Sequence, residues 1–190
     1  MNRTYSLLTL CLLSLSCSLH ATYFGNGMKI GEVDQDSAII WTRLTANAEF
    51  NMQGHMWIEF EVPEAEKSNP RSSKKELGSR MPEGATLDDM AFSLPGKNGE
   101  VRLIYWPGND TSKVVEEDWA QVDPKKDHTL QIPIQDLTPN THYEVVLASR
   151  DLEGNLGASV TGKFKTAPAA NDAEEVTFTV VTCHDFNRRD

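Results

Sequence analysis

Short runs of alternating apolar and polar residues, each closed by turn-forming residues, recur along most of this chain, and such runs confine it to antiparallel β architectures. Residues 28–33 alternate, and Asp34, Asp36 and Ser37 supply turn chemistry before a run over 38–44 rich in β-branched and aromatic residues, including Ile39, Ile40 and Trp41. These two runs are expected to be the first strands of a sandwich. Residues 55–62 alternate again, with Met56, Ile58, Phe60 and Val62 on one side and Trp57, Glu59 and Glu61 on the other, until Pro63 ends the run. Residues 63–99 then change character, with Ser, Asn, Pro and Lys in 67–75 and Pro82, Gly84, Pro95, Gly96 and Gly99 beyond. The stretch reads as an insertion, either a decorated surface hairpin or a functional loop. A short helical segment is expected over 85–92, with Thr86 as its cap and Asp88 and Asp89 near its start. Strand signals return at 101–106, stop at Pro107 and Gly108, and continue over 114–122, 129–134, 144–148 and 158–166.

The first residues belong to a different class. Arg3, an apolar run over 7–19 and the small Ala21 follow the pattern of a secretory signal, so residues 1–21 are expected to direct export to a periplasmic or extracellular location. The apolar run is too short for the roughly 20 residues of a spanning helix. Ser14, Leu15 and Ser16 form a poor lipoprotein box before Cys17. With Cys11 and Cys17 removed in the signal, Cys183 is the one cysteine left, and an internal disulfide is excluded.

Taking Arg3 from the 18 basic residues leaves 17 against 28 acidic ones, a formal charge of −11 for the processed chain. That balance argues against nucleic acid or an anionic membrane as partner. The acids are spread through Glu59, Glu61, Glu64, Glu66, Asp88, Asp89 and 116–118. They read as solvated faces, without calcium-loop spacing.

A last apolar run over 176–182 is expected to be a strand that delivers Cys183, His184 and Asp185 at its end. Groups in that position often bear chemistry in α/β sheets, but one strand makes no sheet. By residue chemistry alone, Cys183 is either a small buried hydrophobe or a metal ligand or reactive thiol. Asp185 can ligate a metal or cap a turn, His184 is expected to face substrate or solvent, and Arg188 and Arg189 form either a phosphate contact or a charged tail. The chain is expected to be an N-terminal module followed by the first strand of a further domain.

Leu137, Pro139, Thr141 and Tyr143 resemble the corner between the fifth and sixth strands of fibronectin type III domains, where a tyrosine hydroxyl bonds back to the backbone. The resemblance covers residues 27–168 and implies an all-β, immunoglobulin-like antiparallel sandwich with Trp41 and Tyr143 in its core. Taken in order, residues 31–33, 37–44, 101–106, the tyrosine corner, 163–168 and 178–183 also resemble the N-terminal part of the alkaline phosphatase D family.

That resemblance implies a fibronectin-like domain over 22–168 with its insertion near 63–99, a linker over 169–175, and the start of a metallophosphoesterase domain at 176–190. It places Cys183 on an iron ligand of a mixed iron and calcium site that hydrolyses phosphomonoesters and phosphodiesters, with Asp185 a secondary metal candidate. Thr182 and His184 stand where the family carries Ser and Gln. The partners implied are a catalytic domain beyond Asp190 and a phosphate ester substrate. No catalytic residue and no bound cofactor are expected for these 190 residues alone. The single Arg3 suits the general secretory route better than the family's frequent twin-arginine export. The alternative reading is a free-standing secreted fibronectin-like binding module, for which an apolar strand past residue 175 has no purpose.

Overall fold

The alternating runs become ten strands in a computed structural model that describes residues 21–69, 75–175 and 177–180. In chain order they are β1 (Met28–Gly31), β2 (Ala38–Arg43), β3 (Ile58–Glu61), β4 (Leu77–Arg80), β5 (Glu100–Pro107), β6 (Val115–Glu116), β7 (Ala120–Gln121), β8 (Thr129–Ile134), β9 (His142–Arg150) and β10 (Leu156–Lys165). One sheet has the order β1-β2-β8, the other β10-β9-β5 followed by β6, with β7 also on β5, and all pairs are antiparallel. This is the fibronectin type III-like sandwich expected from the sequence. Among the described residues no helix is long and apolar enough to cross a membrane.

The core lies where the two inner faces meet. Ala38 and Ile40 from β2 and Ile134 from β8 pack with Val101 and Leu103 from β5 and with Tyr143, Val145 and Leu147 from β9. Side chains of alternate parity fill this layer in each strand, as sheet-on-sheet packing requires. Tyr143 is a core residue as expected, but Trp41 is not. In β2 the buried positions are Ala38, Ile40 and Thr42, which leaves Trp41 half-buried on the outer face with the Lys29 ammonium 5.3 Å from its ring centroid. Ile39 and Ile40 are both apolar, so the sequence left the phase open. The phase adopted places Thr42 inside, where its hydroxyl donates to the Gly27 carbonyl at 3.0 Å and meets no uncompensated burial.

The strand expected over 114–122 is broken in two. Between β6 and β7 the Trp119 ring lies against two guanidinium groups, with Arg102 Cζ 4.5 Å and Arg150 Cζ 4.4 Å from its centroid. Arg150 also pairs with Glu100 at 2.5 Å and Arg102 with Glu116. Part of the acidic run at 116–118 is therefore matched by arginine rather than solvated alone. Cation–π contact with both guanidinium groups holds the ring where the run is interrupted.

Residues 44–99, which connect β2 to β5, hold β3 and β4 as a separate two-stranded ribbon. The insertion is thus a decorated hairpin, and the run at 55–62 belongs to it rather than to the sandwich. Its base is knitted by His55 N–H to Asp89 O at 2.9 Å and Ala91 N–H to His55 O at 2.8 Å, over a buried Met90. The expected helical segment is a 3₁₀ turn, Leu87–Asp89, and the Asp89 carboxylate accepts from the N–H and the hydroxyl of Thr86 at 2.8 and 2.7 Å. Those hydrogen bonds lower the Asp89 pKa.

Arg43 joins three segments at this end of the sandwich. Its guanidinium grips both carboxylate oxygens of Asp127, donates to Leu94 O at 2.7 Å and reaches Asn26 Oδ1 at 3.2 Å. Asp127 and His128 both have positive φ, 53° and 57°, a turn that the bidentate contact helps to hold. Arg43→Ala is expected to lower unfolding stability by about 1.5–3 kcal/mol, measured by urea titration. Asp127→Ala should cost less, because Arg43 keeps its bonds to Leu94 and Asn26.

Candidate functional site

Cys183 and Asp185, the metal candidates, and His184, Arg188 and Arg189 all lie outside the described residues. Of the strand expected over 176–182, Thr177–Val180 are described, and they form no ladder. Phe178 and Val180 are 79% and 78% exposed. A strand needs a neighbour to satisfy its backbone and cover its apolar face, and the described residues provide none there. Among those residues no group of three or more His, Cys, Asp or Glu side chains could hold a metal ion.

The sandwich instead presents a built junction where the chain leaves it. β10 runs antiparallel to β9 with Lys165 opposite His142, so it releases the chain beside the tyrosine corner. There the Thr138 N–H donates to the Tyr143 hydroxyl at 2.9 Å, the backward bond expected from the Leu-x-Pro-x-Thr-x-Tyr pattern. The Tyr143 ring stacks on Phe164 of β10 at 5.5 Å and meets Tyr105 of β5 at 6.4 Å. One aromatic side chain thereby couples the corner to the strand that exits.

Thr166 is the second part of the junction, 1% exposed just past β10. Its hydroxyl donates to Thr138 O at 2.7 Å and accepts from the Thr141 N–H at 2.9 Å. Asn140 N–H then donates to Ala167 O at 2.9 Å, and Ala167 N–H to Asp34 O at 3.1 Å. Further on, Asn140 Nδ2 donates to Glu174 Oε1 at 2.5 Å, and Lys165 Nζ stands 3.8 Å from Glu174 Oε2. The exit is held to the sandwich by several hydrogen bonds rather than by one, with buried Thr166 and Tyr143 at their centre.

Beside the junction an open cleft of about 320 Å³ is lined by residues that include Tyr105, Pro107, Lys113, Asp136 and Leu137. Burial, then the nearby Glu117 carboxylate, raises the Tyr105 pKa above its ordinary 10.0, so this hydroxyl stays protonated at neutral pH. The described residues thus offer mechanical attachment and a cleft of mixed polarity, with no nucleophile activated by a base. Sequence reading found the tyrosine corner but missed Thr166, Asn140 and Glu174. The only signal for Thr166 was its place as a polar residue at the end of a strand whose preceding positions alternate.

The sequence profile described as the PhoD-like phosphatase, N-terminal domain, matches residues 13–168. No curated protein matches the chain. Among solved structures, a structure of PhoD is 18% identical with a TM-score of 0.45, covering 80% of this chain and 20% of that one. A human fibronectin type III domain from the KIAA0970 protein is 8% identical with a TM-score of 0.41, covering 88% of each chain. The sensor domain of the anti-sigma factor RsgI4 of Pseudobacteroides cellulosolvens is 13% identical with a TM-score of 0.39, covering 86% of this chain and 96% of that one. The chain thus spans about a fifth of the length of the PhoD chain it matches, counting 20% coverage.

Proposed function

The chain belongs to the PhoD-like phosphatase family by its N-terminal domain, and from that premise we propose that it is the N-terminal part of an exported phosphomonoesterase or phosphodiesterase, inactive by itself. The sandwich serves as the mount for a metallophosphoesterase domain that begins near residue 176. The observation that carries this reading is the junction: Thr166, Ala167 and Glu174 are tied to the tyrosine corner, which orients whatever follows. Residues 1–21 act as the export signal and 169–175 as the linker in this reading.

In the intact protein Cys183 is the proposed iron ligand, with Asp185 a secondary candidate, in a site that also takes calcium. A thiolate is a suitable soft ligand for iron. The described residues contain no donor set that fits either metal, so no hydrolytic step is assigned to them.

The test begins by sequencing past codon 190, then expressing the 190-residue chain and its in-frame extension side by side. The extension is expected to hydrolyse phosphate mono- and diesters while the short chain does not. Cys183→Ala in the extended protein should reduce iron content and lower turnover by about a hundredfold or more. A stop codon at position 191, or an extended protein with full iron and activity after Cys183→Ala, would refute the respective part of the reading.

A further inference from the structure

The β3–β4 ribbon carries a strand edge that pairs with no other strand among the described residues. Every residue of the two strands except Gly78 is exposed, including Ile58 and Phe60 at 42% and 40%. An isolated two-stranded ribbon is marginal in water, and exposed apolar groups collected in one place mark an interaction surface. Among the described residues, eight of the fourteen large exposed hydrophobic side chains fall between residues 50 and 87, in the same excursion.

The polarity of the edge follows from the ladder. Val62 N–H donates to Glu76 O at 2.9 Å, and Phe60 stands opposite Gly78, so the even-numbered residues of β3 exchange bonds with β4. In an antiparallel pair the intervening residues then turn their N–H and C=O groups the other way. For β3 these are Glu59 and Glu61, and their backbone groups face the open edge. The side chains alternate independently: Ile58 and Phe60 line one face, Glu59 and Glu61 the other. Phe60 lies across its own ribbon, where a Cβ on Gly78 would come within 2.7 Å of its ring. Lys75 reaches Glu61 at 3.0 Å, while Glu59 has no ion-pair partner among the described residues.

We propose that the free edge of β3 is a docking site for an extended segment of another chain in which apolar and basic side chains alternate. Main-chain bonds to Glu59 and its neighbours supply the attachment, as in other strand-addition complexes. Apolar side chains of the guest extend the Ile58 and Phe60 face, and its Lys or Arg side chains stand opposite Glu59 and Glu61 on the reverse face. A second copy of β3 would instead set acid against acid, which is unfavourable for directly opposed residues. Symmetric pairing through β3 is therefore disfavoured, and the chemistry that fits this edge is a basic segment. This inference concerns the end of the sandwich remote from Thr166 and does not depend on the proposed enzymatic role.

The experiment uses the full chain and two labelled synthetic peptides, one alternating valine with lysine and one alternating valine with glutamate, followed by fluorescence anisotropy. The lysine peptide is expected to bind about tenfold or more tightly than the glutamate peptide. Glu59→Lys combined with Glu61→Lys should reverse that preference. Glu59→Pro should abolish binding, because it removes an edge N–H that β4 does not use. Near-ultraviolet circular dichroism checks that each variant keeps the sandwich, and either variant alone decides the matter if the other misfolds. Binding to neither peptide, equal binding to both, or binding unchanged in the folded variants overturns the proposal. So does a concentration-dependent doubling of mass that Glu59→Pro removes, which would give the edge to a second copy.

Discussion

Ile40→Ala is expected to destabilise the sandwich by about 2–5 kcal/mol, the range for removing a fully buried aliphatic side chain and leaving a cavity. Ile40 is 0% exposed at the centre of β2, between the two sheets. Trp41→Ala, although it removes more atoms, should cost less, about 1–2 kcal/mol, from a cation–π contact and the half-buried part of the ring. The ring lies on the outer face beneath Lys29 and leaves no enclosed cavity when it is gone. Urea unfolding of the two variants at one temperature measures the contrast directly. Equal losses, or a larger loss at Trp41, would mean that β2 has the opposite phase and that Trp41 fills the core.

The tyrosine corner is expected to show the second large effect, and to separate ring packing from the hydroxyl. Tyr143→Ala should cost about 3–5 kcal/mol, since the side chain is nearly fully buried between Phe164 and Tyr105. Tyr143→Phe keeps the ring and should cost about 1–3 kcal/mol, because the Thr138 N–H loses its acceptor. Hydrogen exchange adds a readout specific to the junction. In Tyr143→Phe the Thr138 amide should exchange faster, and the amides of Asn140 and Thr166, tied to the same corner, should lose protection with it. A phenylalanine variant as stable as the parent, with no change at these amides, would show that the hydroxyl bond does not couple corner to exit.

These two sites also mark the boundary between local and tertiary information. At Tyr143 the pattern Leu137, Pro139, Thr141, Tyr143 was specific enough to name the corner, because turn chemistry and the hydroxyl bond both lie within six residues. At Trp41 local information failed: adjacent Ile39 and Ile40 make both faces of β2 apolar, and only docking against the other sheet selects one. The break at Trp119 was equally hidden, since its partners Arg102 and Arg150 are remote in sequence. Thr166 was missed for the same reason, its partners lying at 138 and 141.

The sequence by itself determined the all-β class, the position of most sandwich strands along the chain, the tyrosine corner and the family to which the chain belongs. These follow from period-two alternation, turn residues and motif order, all of which are read over a few residues at a time. The tertiary structure alone decided which side of β2 faces inward, where the 114–122 strand breaks, that 55–62 forms a free ribbon, and how the exit is tied to the corner. Each of those depends on which distant groups meet once the sheets pack, because burial and hydrogen bonding between remote residues leave no periodic trace in the chain.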